Sequence, residues 1–396
     1  MQQGYKQTEV GMIPEDWSCV AAKHLMKIET GSRNTEHKTD MGKYPFFVRS
    51  QKVEHIDTYH YNCEAVLTAG DGVGTGKVFH HFVGKFDAHQ RVYVMSNFDG
   101  ITGRYFYNYF SENFGKEVSK YTAKSSVDSV RRDMIAEMMI PLPPLEEQKR
   151  IAEALSDVDS MISSLEKLIA KKKAIKQGAM QELLTGKKRL PGFDGQWSTI
   201  NLSKKSKIKA RIGWQGLTTN EYLNDGFAYL VTGTDFVDGR IYWNGCHYVA
   251  KDRFDQDKNI QIQNDDVLIT KDGSLGKTAL VKGLNKPATL NSGVFVIRPI
   301  QGAYDPAFVY YILSSFVFKD FLDHLSAGST IIHLYQKDIN KFEFAAPPTI
   351  EEQTAIASVL SDMDNEIEVL EQKLAKARQV KQGMMQQLLT GRIRLV

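Results

Sequence analysis

The sequence predicts an α+β protein in which two globular, β-rich heads are separated by a two-helix coiled coil. Three observations predict this fold. One segment occurs twice, each copy carries an apolar stripe with coiled-coil spacing, and the rest of the chain alternates short apolar runs with turns rich in glycine, aspartate and asparagine. The predicted domains are residues 1–145 (first head), 146–190 (first repeated helix), 191–350 (second head) and 351–396 (second repeated helix).

The repeat is the strongest signal in the sequence. Residues 146–190 align without a gap to residues 351–395, at an offset of 351 − 146 = 205 positions. Of the 45 aligned pairs, 25 are identical. Such similarity within one chain indicates two copies of one structural element.

Each copy predicts a long amphipathic helix. Its apolar residues alternate in steps of four and three, which is the spacing of a coiled-coil seam. The seam residues are Ile151, Leu155, Val158, Ile162, Leu165 and Ile169 in the first copy, and Ile356, Leu360, Met363, Ile367, Leu370 and Leu374 in the second. We expect the two copies to pair with each other. Packing of the stripe on a globular core, or a homodimer, is the alternative.

Start and stop signals bound both helices. Proline pairs precede each copy, acidic residues occupy the first turn where the helix dipole favours negative charge, and a threonine–glycine pair ends each copy. These signals are Pro143–Pro144, Glu146–Glu147 and Thr185–Gly186, then Pro347–Pro348, Glu351–Glu352 and Thr390–Gly391. About 37 residues at roughly 1.5 Å per residue predict a rod of about 55 Å.

The two heads resemble each other much less than the helices do. Each begins at a tryptophan, Trp17 or Trp197, and each has a glycine loop, at 65–78 or 266–281, followed by an apolar run. The distances from tryptophan to the paired glutamates differ, being 146 − 17 = 129 and 351 − 197 = 154 residues. Two related but unlike heads at a fixed separation suit a ligand with two separated determinants. Duplex DNA is such a ligand, because it presents sequence determinants at regular axial intervals.

Composition places the chain among ordinary globular proteins. Its net charge is +3, and the three cysteines are widely spaced, which is typical of a reducing compartment. The polar N-terminus lacks the apolar core of a signal peptide, and no run of 18 apolar residues occurs. We therefore expect a cytoplasmic protein without membrane contact.

The repeated motifs carry a specific resemblance. The segment PLPPLEEQKRIAEAL, ending in LLTG, recurs as PPTIEEQTAIASVL, again ending in LLTG, and the chain opens with YKQTEVGMIPEDW. This order of head, helix, head and helix resembles the specificity subunit of type I restriction–modification enzymes along essentially the whole chain. The sequence departs from the family pattern in a small way, with PPTIEEQ before the second helix where PPLEEQ is expected.

The resemblance implies both a function and a set of partners. Each head would be a target recognition domain that reads one part of a bipartite, asymmetric site in double-stranded DNA. The helices would form an antiparallel coiled coil that sets the spacer and docks two methyltransferase subunits, through which motor–nuclease subunits join. S-adenosylmethionine, ATP and magnesium would bind to those partners and not to this chain. The N-terminal segment would continue the second repeat if the termini are adjacent, giving a circular repeat with near two-fold symmetry.

Candidate DNA contacts come from residue type and position. Arginine favours guanine, glutamine favours adenine, and lysine suits backbone phosphate. The candidates are Arg49, Lys52, Lys77, His89, Arg91, Lys124 and Arg131 in the first head, and Arg211, Trp214, Lys271, Lys277, Ser329, Thr330, His333 and Gln336 in the second. The glycine loops are not Walker A motifs, because Asp71 and Lys271 stand where that motif needs glycine. They are either strand-connecting turns or phosphate contacts.

Catalytic motifs are absent from the sequence. The Pro-Pro pairs are followed by Leu145 and Thr349, so the Pro-Pro-aromatic motif of amino-methyltransferases is missing. His80, His81 and His89 lack metal-ligand spacing. The sequence therefore predicts a non-catalytic subunit. A coiled-coil scaffold with two protein-binding heads, and a fused enzyme with an unrecognised active site, are the competing hypotheses.

Overall fold

The computed structural model describes residues 4–122, 129–325 and 333–396. The α-helices within these residues are α1 (Gly103–Thr122), α2 (Arg132–Ala136), α3 (Leu145–Leu183), α4 (Leu202–Lys205), α5 (Lys251–Asp255), α6 (Pro306–Leu313), α7 (Phe316–Leu325), α8 (Gln336–Ile339) and α9 (Ile350–Leu388). The repeated helices α3 and α9 have 39 residues each. Gly186 and Gly391, just beyond their ends, have φ of 70° and 69°, a backbone conformation that favours glycine. The proline and glycine signals thus lie next to the helix ends, whereas the repeated segments 146–190 and 351–396 extend beyond the helices.

The chain divides into two compact units, and the boundary falls inside both long helices. One unit comprises Met1–Lys167 and Glu371–Val396, and the other comprises Leu168–Leu370. Each unit therefore contains one head, part of α3 and part of α9. The predicted division into four segments follows the sequence repeat, whereas each compact unit combines a head with both helices.

The first head is built on a six-stranded sheet. The strands of its unit are β1 (Tyr5–Thr8), β2 (Gly11–Pro14), β3 (Ser18–Ala21), β4 (Lys27–Thr30), β5 (Tyr44–Phe47), β6 (Glu54–Ile56), β7 (Tyr61–Ala69), β8 (Phe79–Ala88), β9 (Val92–Ser96) and β10 (Met139–Leu142). The sheet order is β4-β9-β7-β8-β5-β6, and only the β5–β8 pair of this sheet is parallel. Helix α1 packs on this sheet through an aromatic row, Phe106, Phe110 and Phe114, whose rings stack in succession.

The second head divides its strands between two main sheets. Its strands are β11 (Ser198–Asn201), β12 (Ser206–Ala210), β13 (Ala228–Val231), β14 (Phe236–Val237), β15 (Arg240–Ile241), β16 (His247–Val249), β17 (Val267–Thr270), β18 (Thr278–Leu280), β19 (Ala288–Leu290), β20 (Val294–Pro299) and β21 (Glu343–Ala346). One sheet has the order β12-β20-β17-β18 and the other β16-β13-β19. The mixed α+β class predicted from the sequence is confirmed, and the glycine loops connect β7 to β8 and β17 to β18 as expected.

The two units repeat one anchoring arrangement. Strand β3 follows Trp17 and pairs antiparallel with β10, which precedes α3. Strand β11 follows Trp197 and pairs antiparallel with β21, which precedes α9. In both units the tryptophan and the start of a long helix are therefore fixed to the same two-stranded ribbon.

The apolar stripe has two different surroundings. All twelve predicted seam residues are buried or half-buried. However, Ile151 and Leu155 belong to the core of the first head, and Ile356 and Leu360 belong to the core of the second. For these four residues the alternative of packing on a globular core is correct, because the first turns of each helix are covered by the head.

Candidate functional site

A buried carboxylate fixes the start of each long helix. Glu147 accepts hydrogen bonds from the indole Nε1–H of Trp17 (3.1 Å) and the guanidinium Nε–H of Arg394 (2.7 Å). The equivalent Glu352 accepts from the Nε–H of Arg189 (2.6 Å). Only 2% of the Glu147 side chain and 1% of the Glu352 side chain are exposed. Glu147 and Glu352 thus occupy identical positions in the repeat. Each joins the beginning of one long helix to the segment that follows the other long helix. Both residues of each ion pair lie within one unit.

The following glutamine attaches the helix to the head. Gln148 accepts a hydrogen bond from the backbone N–H of Thr102 (2.9 Å), next to the start of α1. Gln353 accepts one from the N–H of Asp305 (2.9 Å), the residue that caps α6. Sequence reasoning assigned the paired glutamates to the helix dipole and overlooked the glutamines. The available signal was the identity of the Glu-Glu-Gln triplet in both copies.

The two ends of the described chain meet within the first unit. The Tyr5 hydroxyl donates to the carbonyl oxygen of Gly391 (2.9 Å), and Arg394 forms an ion pair with Asp16 (2.7 Å). Hydrogen bonding to Arg394 lowers the pKa of the Asp16 carboxyl. The N-terminal segment therefore continues the second repeat, as the predicted circular order requires.

Repeated ion pairs hold α3 and α9 together. In the first unit Lys381 contacts Asp159 (2.6 Å), and in the second Lys176 contacts Asp364 (2.5 Å). These pairs are repeat equivalents, since 176 + 205 = 381 and 159 + 205 = 364. Further pairs are Arg378–Glu166 in the first unit and Lys172–Glu366 in the second. Within each unit, the residue numbers of the α9 partners decrease as those of the α3 partners increase, which confirms that the two helices pair in antiparallel orientation.

Both helical aspartates also contact their own head. Arg104 of α1 lies 3.8 Å from Asp159, and the Tyr311 hydroxyl of α6 donates to Asp364 (2.8 Å). Each head is therefore linked to the helix pair beyond the first turns.

In the first head, the structure brings several candidate residues to the glycine loop. Asp71, the first residue after Gly70 in that loop, forms ion pairs with Arg49 (2.9 Å) and Arg91 (3.4 Å). Both arginine side chains remain substantially exposed, at 47% and 62%. Asp71 also forms a β-bridge with Ser129, in the segment between α1 and α2 that immediately precedes the candidate Arg131. Two arginine candidates, the glycine loop and that segment thus share one site.

The second head brings its candidates together at the equivalent loop. Asp272 forms a β-bridge with His333, and the His333 Nδ1 atom lies 3.8 Å from the Asp272 carboxylate. Lys271 lies over the Phe295 ring, with its Nζ atom 5.7 Å from the centroid. An open groove of about 520 Å³ is lined by Lys271, His333 and Gln336, among others.

Two candidates are core residues, contrary to the prediction. Arg211 is only 2% exposed, and its guanidinium donates to backbone carbonyls of Leu290 and Gln215 and to the Thr289 hydroxyl. His89 is 6% exposed, and its Nδ1 accepts the backbone N–H of Arg91. Burial and the nearby Arg49 guanidinium lower the pKa of the His89 imidazole. Both side chains stabilise the fold and cannot reach a base without leaving the core.

The other candidates occupy different positions. Lys52, Lys77, Arg131, Lys277 and Gln336 are exposed, and Lys52 pairs with Glu54. Trp214 lies in a 3-10 turn, Gly213–Gln215. Lys124, Ser329 and Thr330 lie outside the described residues.

The histidines do not form a metal centre. His80 contacts the carbonyl oxygen of Ser50, and His81 contacts the Glu64 carboxylate (2.8 Å). Across residues 4–122, 129–325 and 333–396, no group of three or more His, Cys, Asp or Glu side chains could hold a metal ion. In the same part of the chain, no helix combines the length and apolar character needed to cross a membrane.

Comparison with known proteins identifies one family. A family model described as the type I restriction modification DNA specificity domain matches residues 14–177 and 215–379. The two matches cover most of the chain, and each includes most of a head and the larger part of a long helix. The internal repeat is thus a repeat of one family domain.

Named relatives match along the chain. The type I restriction enzyme MjaVIII specificity subunit of Methanocaldococcus jannaschii is 25% identical, with the match covering 100% of this chain and 97% of the relative. The EcoDI specificity subunit of Escherichia coli is 22% identical, covering 88% and 82%. Among solved structures, a type I S subunit from M. genitalium is similar in fold, with a TM-score of 0.67 at 17% identity over 98% of this chain and 99% of that one.

Proposed function

The chain belongs to the family of type I restriction–modification specificity subunits, and from that premise we propose that its two heads read the two halves of a bipartite, asymmetric DNA target. The observation that carries this proposal is the pair of equivalent glycine-loop sites, which have the same backbone connections but different side chains beside the loop aspartate. Different side chains on a common framework suit two different half-sites, because direct readout depends on the hydrogen-bonding groups presented to the base edges.

We further propose that the paired helices set the spacer and dock two methyltransferase subunits. Repeat-equivalent ion pairs tie α3 and α9 together in each unit, and the Glu-Glu-Gln triplets fix each helix start. The chain then carries no catalytic centre. Methyl transfer and cleavage belong to methyltransferase and motor–nuclease partners, on which S-adenosylmethionine, ATP and magnesium bind.

Footprinting tests whether each head reads its own half of the DNA target. The full chain with the methyltransferase subunit of its own system should protect two DNA tracts separated by an unprotected spacer. Replacing residues 1–145 with the head of another specificity subunit should change one tract and leave the other unchanged. Uniform protection, or protection of neither tract, would contradict the proposal and favour a protein-binding scaffold. Methyl transfer by the purified chain alone would favour the fused-enzyme hypothesis.

Lengthening the helix pair tests its role as a spacer. We would insert four residues in α3 between Lys167 and Lys176, and four at the equivalent place in α9 between Gln372 and Lys381. The insertion adds about 6 Å and about 40° of rotation, against about 3.4 Å and about 35° per base pair of DNA. The preferred spacer should therefore lengthen by one or two base pairs.

Methylome sequencing of cells that carry the altered system reads the spacer and both half-sites at once. A control variant with four residues inserted in α3 alone should lose activity, because the two helices no longer match. Altered half-sites with an unchanged spacer would refute the spacer role.

A further inference from the structure

The glycine-loop aspartate has the same backbone connections in both heads. Asp71 forms its β-bridge with Ser129, and Asp272 forms one with His333. Next to the bridge, the Val130 N–H donates to the Gly70 carbonyl oxygen (2.7 Å). In the second head the Leu334 N–H donates to the Lys271 carbonyl oxygen (2.6 Å). Each aspartate therefore lies where the loop meets the segment before a long helix.

A third strand completes this junction and allows the heads to be compared position by position. The Gly70 N–H donates to the Arg91 carbonyl oxygen (2.7 Å), and the Lys271 N–H donates to the Gly293 carbonyl oxygen (2.9 Å). Gly70 thus corresponds to Lys271, and Arg91 corresponds to Gly293. The glycine and the cation are exchanged between the two positions.

The exchange changes what each aspartate faces. In the first head Asp71 holds two guanidinium groups, those of Arg49 and Arg91. In the second head a Cβ atom on Gly293 would lie 2.4 Å from the Asp272 carboxylate oxygen, so a side chain at that position would require the carboxylate to move. Asp272 faces the imidazole of His333 instead. The aspartate is kept while its side-chain partner changes from arginine to histidine.

We propose that Asp71 and Asp272 are positioning residues for DNA reading, with Asp71 orienting Arg49 and Arg91, and Asp272 orienting His333, toward the base edges of their half-sites. This inference rests on the proposed function. A carboxylate that binds part of a guanidinium fixes its plane and leaves the remaining N–H donors free for the O6 and N7 atoms of guanine. The exposure of both arginines leaves those donors accessible.

A role in stability or in general attraction to DNA explains the aspartate less well. Ion pairs that involve exposed arginines contribute little to folding. A negative charge near the DNA also weakens attraction to phosphate, which supplies most of the sequence-independent affinity. An aspartate kept in both heads therefore fits a gain in specificity.

The test is the substitution Asp71→Asn in the full chain, assayed with the methyltransferase subunit of its own system at fixed salt. Binding is measured on the target, on duplexes mutated in either half-site, and on random-sequence duplex. We expect discrimination at one half-site to fall about tenfold, since a good bidentate contact accounts for at least that much. Affinity for random duplex should stay equal or rise severalfold.

Two variants serve as controls. Asp99→Asn makes the same charge change at an exposed position of the same head and should leave discrimination unchanged. Arg91→Lys keeps the charge but loses the planar fork, so it should reproduce the loss of discrimination with random-duplex affinity unchanged. Asp272→Asn should affect only the other half-site.

The outcomes separate this inference from the proposed function. If the unaltered protein protects no separated tracts, the proposed function fails. If it does protect them, and Asp71→Asn weakens target and random duplex equally or leaves discrimination intact, the positioning role alone is refuted. Thermal unfolding of each variant shows whether it still folds. If Asp71→Asn does not fold, the discrimination measured with Arg91→Lys tests the positioning role instead.

Discussion

Replacing Glu147 with alanine should lower the free energy of unfolding by about 3 kcal/mol, because the substitution leaves a partly buried guanidinium without its main counter-ion. The Glu147 side chain is 2% exposed, whereas 25% of its partner Arg394 remains exposed, which places the effect at the lower end of the range for broken buried pairs. The Trp17 indole N–H also loses its acceptor. Urea unfolding followed by circular dichroism measures the change.

The neighbouring glutamate provides the control. Glu146 is 75% exposed and contacts Lys149 one helical turn away, so Glu146→Ala should change stability by less than about 0.5 kcal/mol. Glu352→Ala repeats the experiment in the second unit, where the partner is Arg189. Equal effects of Glu146→Ala and Glu147→Ala would show that the buried pair does not anchor the helix.

This pair also shows what the sequence could predict and what it could not. The approximate length and ends of α3 and α9 follow from the repeat and from local signals such as the prolines and Gly186 and Gly391, whereas their antiparallel orientation was implied only by the family resemblance. The role of Glu147 could not be predicted in this way, because it depends on Arg394, which is 394 − 147 = 247 positions away. Identity between repeats marks a residue as constrained but does not name its partner.

The candidate site shows the same limit in the heads. Residue type alone predicted that both Arg91 and Arg211 contact DNA. In the structure Arg91 is exposed, whereas Arg211 is only 2% exposed and is surrounded by backbone acceptors. An arginine suits a guanine and a buried carbonyl equally well, so burial decides between them. The positions of the glycine loops could be predicted from local sequence. Their bridges to Ser129 and His333 could not, since these pairings join distant segments.

Truncating the apolar stripe should have unequal effects along its length. Leu155 is fully buried in the core of the first head, beside residues at the end of α9. Leu155→Ala should therefore cost about 3 kcal/mol, the usual size for a leucine removed from a packed core. Leu165, further along the same stripe, is half-buried, and Leu165→Ala should cost about 1 kcal/mol. Urea unfolding of the two variants gives the comparison.

The repeat supplies an independent copy of this experiment, because Leu360 and Leu370 are the equivalents of Leu155 and Leu165. Leu360 is fully buried in the core of the second head, and Leu370 is half-buried. We expect the same ratio of costs in both units. Equal costs at all four positions would instead mean that the stripe is one uniform coiled-coil seam. The unequal pattern would explain how a specificity subunit could change its spacer without losing its heads, since matched length changes between Lys167 and Lys176 and between Gln372 and Lys381 lie outside the two head cores.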